Sequence, residues 1–129
     1  MRLKIIVTSL FVADQQQALE FYTEKLGFVK KEDVPAGEFR WLTVVSPQDE
    51  NGVELVLEPN NNDIAREYQQ RLKTAGIPAT MFGVDNLLET YANLTAQGVH
   101  FTMPPTEAGF VTIAVLDDTC GNLIQLVQG

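Results

Sequence analysis

Two polar side chains interrupt largely apolar strands, Glu54 within 53–58 and Gln125 within 122–128. Strand side chains alternate between faces, so Val53, Leu55 and Leu57 form an apolar face for packing under a helix, and Glu54, Val56 and Glu58 take the other. The same alternation sends Ile124 and Leu126 to a packed face and Gln125 and Val127 to the opposite one. A carboxylate and an amide presented to one concavity have three uses: they ligate a metal through oxygen, orient an organic ligand, or hydrogen-bond to each other. Further along, Phe39, Trp41 and Thr43 alternate with Arg40, Leu42 and Val44, and Phe110, Thr112 and Ala114 occupy matching later places. One of these sets is expected to line the concavity, because aromatic walls with a few polar groups are typical of small-molecule pockets. Arg40 is placed either to bind an anion or to pair with Glu54. His100, the single histidine, reads as a strand residue and not as a base. Cys120 follows Asp117 and Asp118 and lacks the neighbouring positive charge that activates a thiol. A glycine-rich phosphate loop, a nucleophile elbow and a paired CxxC are all missing.

Positioning these residues falls to a duplicated unit. At an offset of 71 residues Asp14 meets Asp85, Gly27 meets Gly98, Phe39 meets Phe110, Val44 meets Val115, Asn51 meets Asn122 and Glu54 meets Gln125. The matches fall on a cap, on glycines and on strand residues, which are the joints of a supersecondary unit. Each copy reads strand, helix, strand, strand, strand. The first has a strand over 3–12, Asp14 as helix cap, and Ala18, Leu19, Tyr22 and Leu26 on one helical face before Gly27. Strands over 28–33 and 39–46 follow, and Asn51-Gly52 turns the chain into 53–58. The second has a strand over 79–84, Asp85 as cap, a helix presenting Leu87, Leu88, Tyr91 and Leu94, and strands over 99–103, 110–116 and 122–128. The turn-rich stretches 33–38 and 103–109 are related by the repeat and expected to rim the opening. Residues 60–77 predict an ordered connector helix with Ile64, Ala65, Tyr68, Leu72 and Ala75 on its packed stripe. The expected domain is thus single, with module one at 1–59, the connector at 60–77 and module two at 78–129.

A chain of 129 residues fits one globular domain whose two half-size modules must share or abut cores, and its one cysteine excludes an intrachain disulfide. Its net charge of -8 argues against nucleic acid and anionic membrane as partners, since both need clustered cations. The opening MRLKIIVTSLFV enters a strand directly with no signal-peptide pattern, so a cytoplasmic protein is expected.

The stretches FVADQQQALEFYTEKLGF at 11–28 and DDTCGNLIQLV at 117–127 resemble the vicinal oxygen chelate superfamily, which contains glyoxalase I, extradiol dioxygenases, fosfomycin-inactivating enzymes and bleomycin-resistance proteins. The likeness covers almost the whole chain. It implies an α+β fold of two βαβββ modules forming an open, barrel-like mixed sheet around a cavity, with helices outside, commonly as a homodimer. The superfamily's metal enzymes take ligands from each module's first and last strands, often two histidines with one or two glutamates. Carried onto this chain, those positions fall on Val7 (or Thr8), Glu54, Ala79 and Gln125. Neither Val nor Ala donates a lone pair, and one histidine cannot supply the two imidazoles of an iron site. No cofactor is expected. A weak oxygen-only site for a hard divalent ion, with Glu54, Gln125 and Glu58, is the exception that the donor types permit.

Two functions follow from the resemblance. One is a metal-free binder of the bleomycin-resistance type, holding a small organic ligand with Gln125, Arg40, Trp41, Glu58, Phe39 and Phe110. The other is a glyoxalase-like lyase or isomerase with Glu54 as catalytic base or sole charged ligand and Gln125 orienting substrate. A degenerate member that acts only by dimerising is a third reading.

Overall fold

The computed structural model describes residues 1–129. The chain forms two compact units, Met1–Asn62 and Asp63–Gly129, each built on its own four-stranded mixed sheet.

In the first unit the strands are β1 (Val7–Val12), β2 (Val29–Ala36), β3 (Phe39–Val45) and β4 (Glu54–Pro59), in the order β1-β4-β3-β2, with β1 parallel to β4 and the others antiparallel. Asp14, extended at φ -144°, caps helix α1 (Gln15–Glu20) by accepting from the Gln17 N–H at 2.8 Å. The helix runs into a π-helical segment, Phe21–Lys25, and ends at Gly27, whose φ of +80° a side chain would resist. Ala18, Phe21 and Tyr22 are buried together with Leu10, Val12, Leu42, Val44, Leu55 and Leu57, the residues that alternation sends to the helix side of the sheet. Burying each large apolar side chain contributes about 1.5–3 kcal/mol, so this layer supplies most of the unit's cohesion.

The second unit adds helix α2 (Asp63–Thr74), then β5 (Thr80–Gly83), α3 (Leu87–Ala96), β6 (Phe101–Ala108), β7 (Val111–Asp117) and β8 (Leu123–Gln128), in sheet order β5-β8-β7-β6. The connector helix therefore goes with the second unit. Its buried residues are Ala65 and Gln69, whereas Ile64 and Tyr68, expected on the packed stripe, are 83% and 57% exposed. They line a shallow groove with Leu72 and Ile77. No helix is long and apolar enough to cross a membrane.

The doubling holds, but its offset drifts. Helix α3 is capped by Asn86, which accepts from the Glu89 N–H at 3.1 Å, and not by Asp85. Gly27 lies thirteen residues beyond the Asp14 cap and Gly98 twelve beyond Asn86. A π-turn inserts one residue into a helix, and the π segment at Phe21–Lys25 absorbs the difference. Strand β6 then shifts register twice where β2 shifts once, so the hairpin turns at Gly37 and Gly109 stand 72 apart. Phe110 is accordingly the counterpart of Glu38. It sits in the turn before β7, wholly exposed, and is not the mate of Phe39. Three smaller expectations also change. Residues 1–6 lie outside β1, Val53 is exposed ahead of β4, and the stretches at 33–38 and 103–109 are mostly hairpin strand, not rim loop.

Candidate functional site

The sheet face of the first unit that points away from α1 gathers the chemistry. Register places Val7 beside Glu54, Ser9 beside Val56 and Phe11 beside Glu58. Across β4, Thr43 is opposite Val56. Alternation then brings Phe39, Trp41, Thr43, Glu54 and Glu58 to one face. Trp41 is 40% and Phe39 37% exposed, whereas Thr43 is wholly buried. The Thr43 hydroxyl donates to Glu54 Oε1 at 2.7 Å and accepts the Glu32 N–H at 3.1 Å. No lysine, arginine or histidine pairs with the half-buried Glu54 carboxylate, which shares its sheet face with Trp41 and Phe39. Glu58 receives only a long 3.4 Å contact from the Ser9 hydroxyl.

Arg40 is on the other face. Its Nε and Nη2 donate to the two oxygens of Asp33 at 3.0 and 2.8 Å, and its Nη1 reaches Gln16 of α1 at 2.9 Å. It does not pair with Glu54, because residues 40 and 41 of one strand point to opposite sides. This bidentate pair, with Lys30 adding to it, lowers the Asp33 carboxyl from 3.8 to about 2. A depressed carboxyl stabilises the fold above its unfolded value and loses that contribution as it protonates. Wild-type stability is thus expected to fall between about pH 4 and pH 2, and the Asp33→Asn variant to lose that part of the slope. Urea midpoints at closely spaced acidic pH values check this.

Gln125 lies between Met81 of β5 and Val115 of β7, half-buried and without a protein hydrogen bond for its amide. Its counterpart in the first unit is not Glu54. The hairpin turns equate Thr43 with Val115, and the helix caps equate Ser9 with Met81. Thr43 and Ser9 both flank Val56, while Val115 and Met81 both flank Gln125, so Val56 answers to Gln125. By the same register Ala79, which donates its N–H to Leu123, answers to Val7, and Leu123 answers to Glu54.

The donor chemistry does not fit a transition-metal centre. Glu54 has Val7 at its side, Gln125 has Met81, and Ala79 has Leu123. Within neither unit do three His, Cys, Asp or Glu side chains converge. His100 is exposed just ahead of β6. Cys120 is buried in the 118–122 turn, its N–H held by Asp118 at 2.7 Å. Alternation placed Thr43 in a lining set with Phe39 and Trp41 but gave it no role, and the signal for one is a hydroxyl on a mostly apolar central strand.

The model of the glyoxalase/bleomycin resistance protein/dioxygenase superfamily matches residues 4–126. The chain belongs to that superfamily. It is 63% identical over 126 residues to the uncharacterized protein YurT of Bacillus subtilis (strain 168), covering 98% of this chain and 99% of that protein. The superfamily's architecture is also that of its solved neighbours. UcmS2 superposes with a TM-score of 0.84 at 33% identity over 98% of both chains. TnmS3, an antibiotic binding protein from Streptomyces sp. CB03234, does so with a TM-score of 0.76 at 25% identity over 99% of this chain and 98% of that one.

Proposed function

We propose that the protein binds a small organic molecule, planar and cationic, on the β1-β4-β3-β2 face averted from α1, and performs no chemistry on it. The observation that carries this reading is the Glu54 carboxylate, without a cationic side chain as partner, on the same sheet face as the exposed Trp41 and Phe39. Aromatic faces attract cations, and a carboxylate on the same sheet face adds a counter-charge. The likeness to TnmS3, an antibiotic binding protein, supports a binding role. The reading includes a homodimer in the cytoplasm that needs no resident metal.

Fluorescence titration with proflavine, a planar aromatic cation, tests it, with neutral acridone as the control. Saturating proflavine at about 100 times its dissociation constant should add roughly 2.7 kcal/mol of stability. Trp41→Ala should weaken binding about tenfold, the order of one cation–π contact. Equal affinity for acridone, or no binding of proflavine, overturns the reading.

Catalysis by the same carboxylate is the competing reading, favoured by the Glu54 oxygen that Thr43 leaves unengaged. Turnover of a bound thiol adduct that disappears in Glu54→Gln, with binding retained, would decide for it. Calorimetric titration with manganese, nickel and zinc, in wild type and Glu54→Ala, tests the metal-free state.

A further inference from the structure

We infer that Thr43 is a positioning residue that fixes the direction of the Glu54 carboxylate, an inference that rests on the binding reading above. The register of β2 against β3 passes from Lys30 opposite Val44 to Glu32 opposite Thr43, which leaves Lys31 as the extra residue of a bulge. At the bulge the Glu32 N–H donates to the Thr43 hydroxyl oxygen at 3.1 Å. A hydroxyl has one hydrogen, and an N–H can only donate. With Oγ1 accepting from Glu32, its hydrogen goes to Glu54 Oε1 at 2.7 Å. Thr43 is wholly buried, so water does not compete for that hydrogen, and a β-branched side chain is stiff at χ1. The carboxylate is thereby held by one oxygen.

The other half of the molecule shows that the fold does not demand this arrangement. The positions that answer to Thr43 and Glu54 are Val115 and Leu123, an apolar pair on the same kind of sheet. A hydroxyl and a carboxylate replace hydrocarbon in one unit only. The bulge, the buried hydroxyl and the unpaired carboxylate together form a device for orienting charge toward a ligand.

Four variants test it: Thr43→Val, which is nearly isosteric, Thr43→Ser, which keeps the hydroxyl, Glu54→Gln, and Thr43→Val with Glu54→Gln. Two readouts are used, proflavine affinity and the rotamer averaging of the Glu54 side chain by NMR couplings in the ligand-free protein. Thr43→Val should lose about tenfold in affinity, the scale of one hydrogen bond to a charged group, and its Glu54 couplings should average. Thr43→Ser should stay near wild type on both readouts, and the double variant should bind no worse than Glu54→Gln. A folded Thr43→Val protein with unchanged Glu54 couplings overturns the inference, whether or not proflavine binds. If wild type does not bind proflavine while Thr43→Val frees the carboxylate and Thr43→Ser does not, positioning stands and the binding reading falls.

Discussion

Replacing Asp118 with alanine is expected to lower the unfolding free energy by about 3–5 kcal/mol and the Tm by roughly 12–20 °C. The carboxylate is wholly buried and accepts from the Cys120 N–H at 2.7 Å, the Asn122 N–H at 3.0 Å and the Asn122 side-chain amide at 2.8 Å. Gln69 of α2 completes the cluster, donating to the Cys120 carbonyl at 3.0 Å and to Asn122 Oδ1 at 3.2 Å. Alanine leaves three donors without their acceptor, and each buried orphan costs about 1–3 kcal/mol, which relaxation and entering water reduce below the full sum. The turn has little freedom to relax. Thr119 is at φ 63°, and Gly121 is at φ 102° with Gln69 Nε2 only 2.7 Å from where a Cβ would stand. Urea unfolding of Asp118→Ala and Asp118→Asn checks the prediction, the asparagine variant losing less because one acceptor oxygen remains. A loss under about 1 kcal/mol for alanine would mean that the donors find water and that the cluster does not hold the turn.

Much of this fold was legible in the sequence because alternation and helical spacing are local properties. The inward sets at Leu55 and Leu57 and at Ile124 and Leu126 follow from a period of two, and all four are buried. The doubling was legible for the same reason. What was not legible was its phase. A π segment in one helix and an extra shift in one hairpin each move the copies by a residue, and identities such as Phe39 with Phe110 survive at a constant offset without being structural mates. One residue of drift reverses the face of every strand side chain. That is why Val44, buried toward α1, does not correspond to Val115.

The site divides along the same line. Glu54 stood out as a charge on an apolar strand, and a polar residue there needs a reason wherever it points. Arg40 misled because its partner depends on hairpin register. Asp33 meets it only because β2 runs through Pro35 to Ala36 instead of turning there. Thr43 was placed by alternation, but its role was hidden because it requires a bulge on one neighbour and a carboxylate on the other. Ile64 and Tyr68 show the limit of helical periodicity: a stripe of apolar residues names a face, and Gln69 was buried in its place.

Gln15→Ala should cost about 2–4 kcal/mol, more than a surface glutamine has any reason to cost. Its amide sits between strands, donating to the carbonyls of Arg40 at 2.7 Å and Leu57 at 2.9 Å and accepting the Arg40 N–H at 3.0 Å. The β3–β4 pairing that register defines covers only Thr43 with Val56 and Val44 with Leu55, so the side chain of a helix residue takes over where the ladder stops. It behaves as a peptide group inserted between two diverging strands. Gln15→Glu should be worse than alanine, because it sets a carboxylate oxygen against two carbonyls that need a donor. The effect should be visible beyond global stability. Gln15 ties α1 to the strands whose averted face carries Thr43 and Glu54, so hydrogen exchange at Arg40 and Leu42 should quicken in Gln15→Ala by more than the global loss explains. Uniform quickening across the first unit would instead make Gln15 a contributor to stability alone, with no separate hold on the strands that shape the binding face.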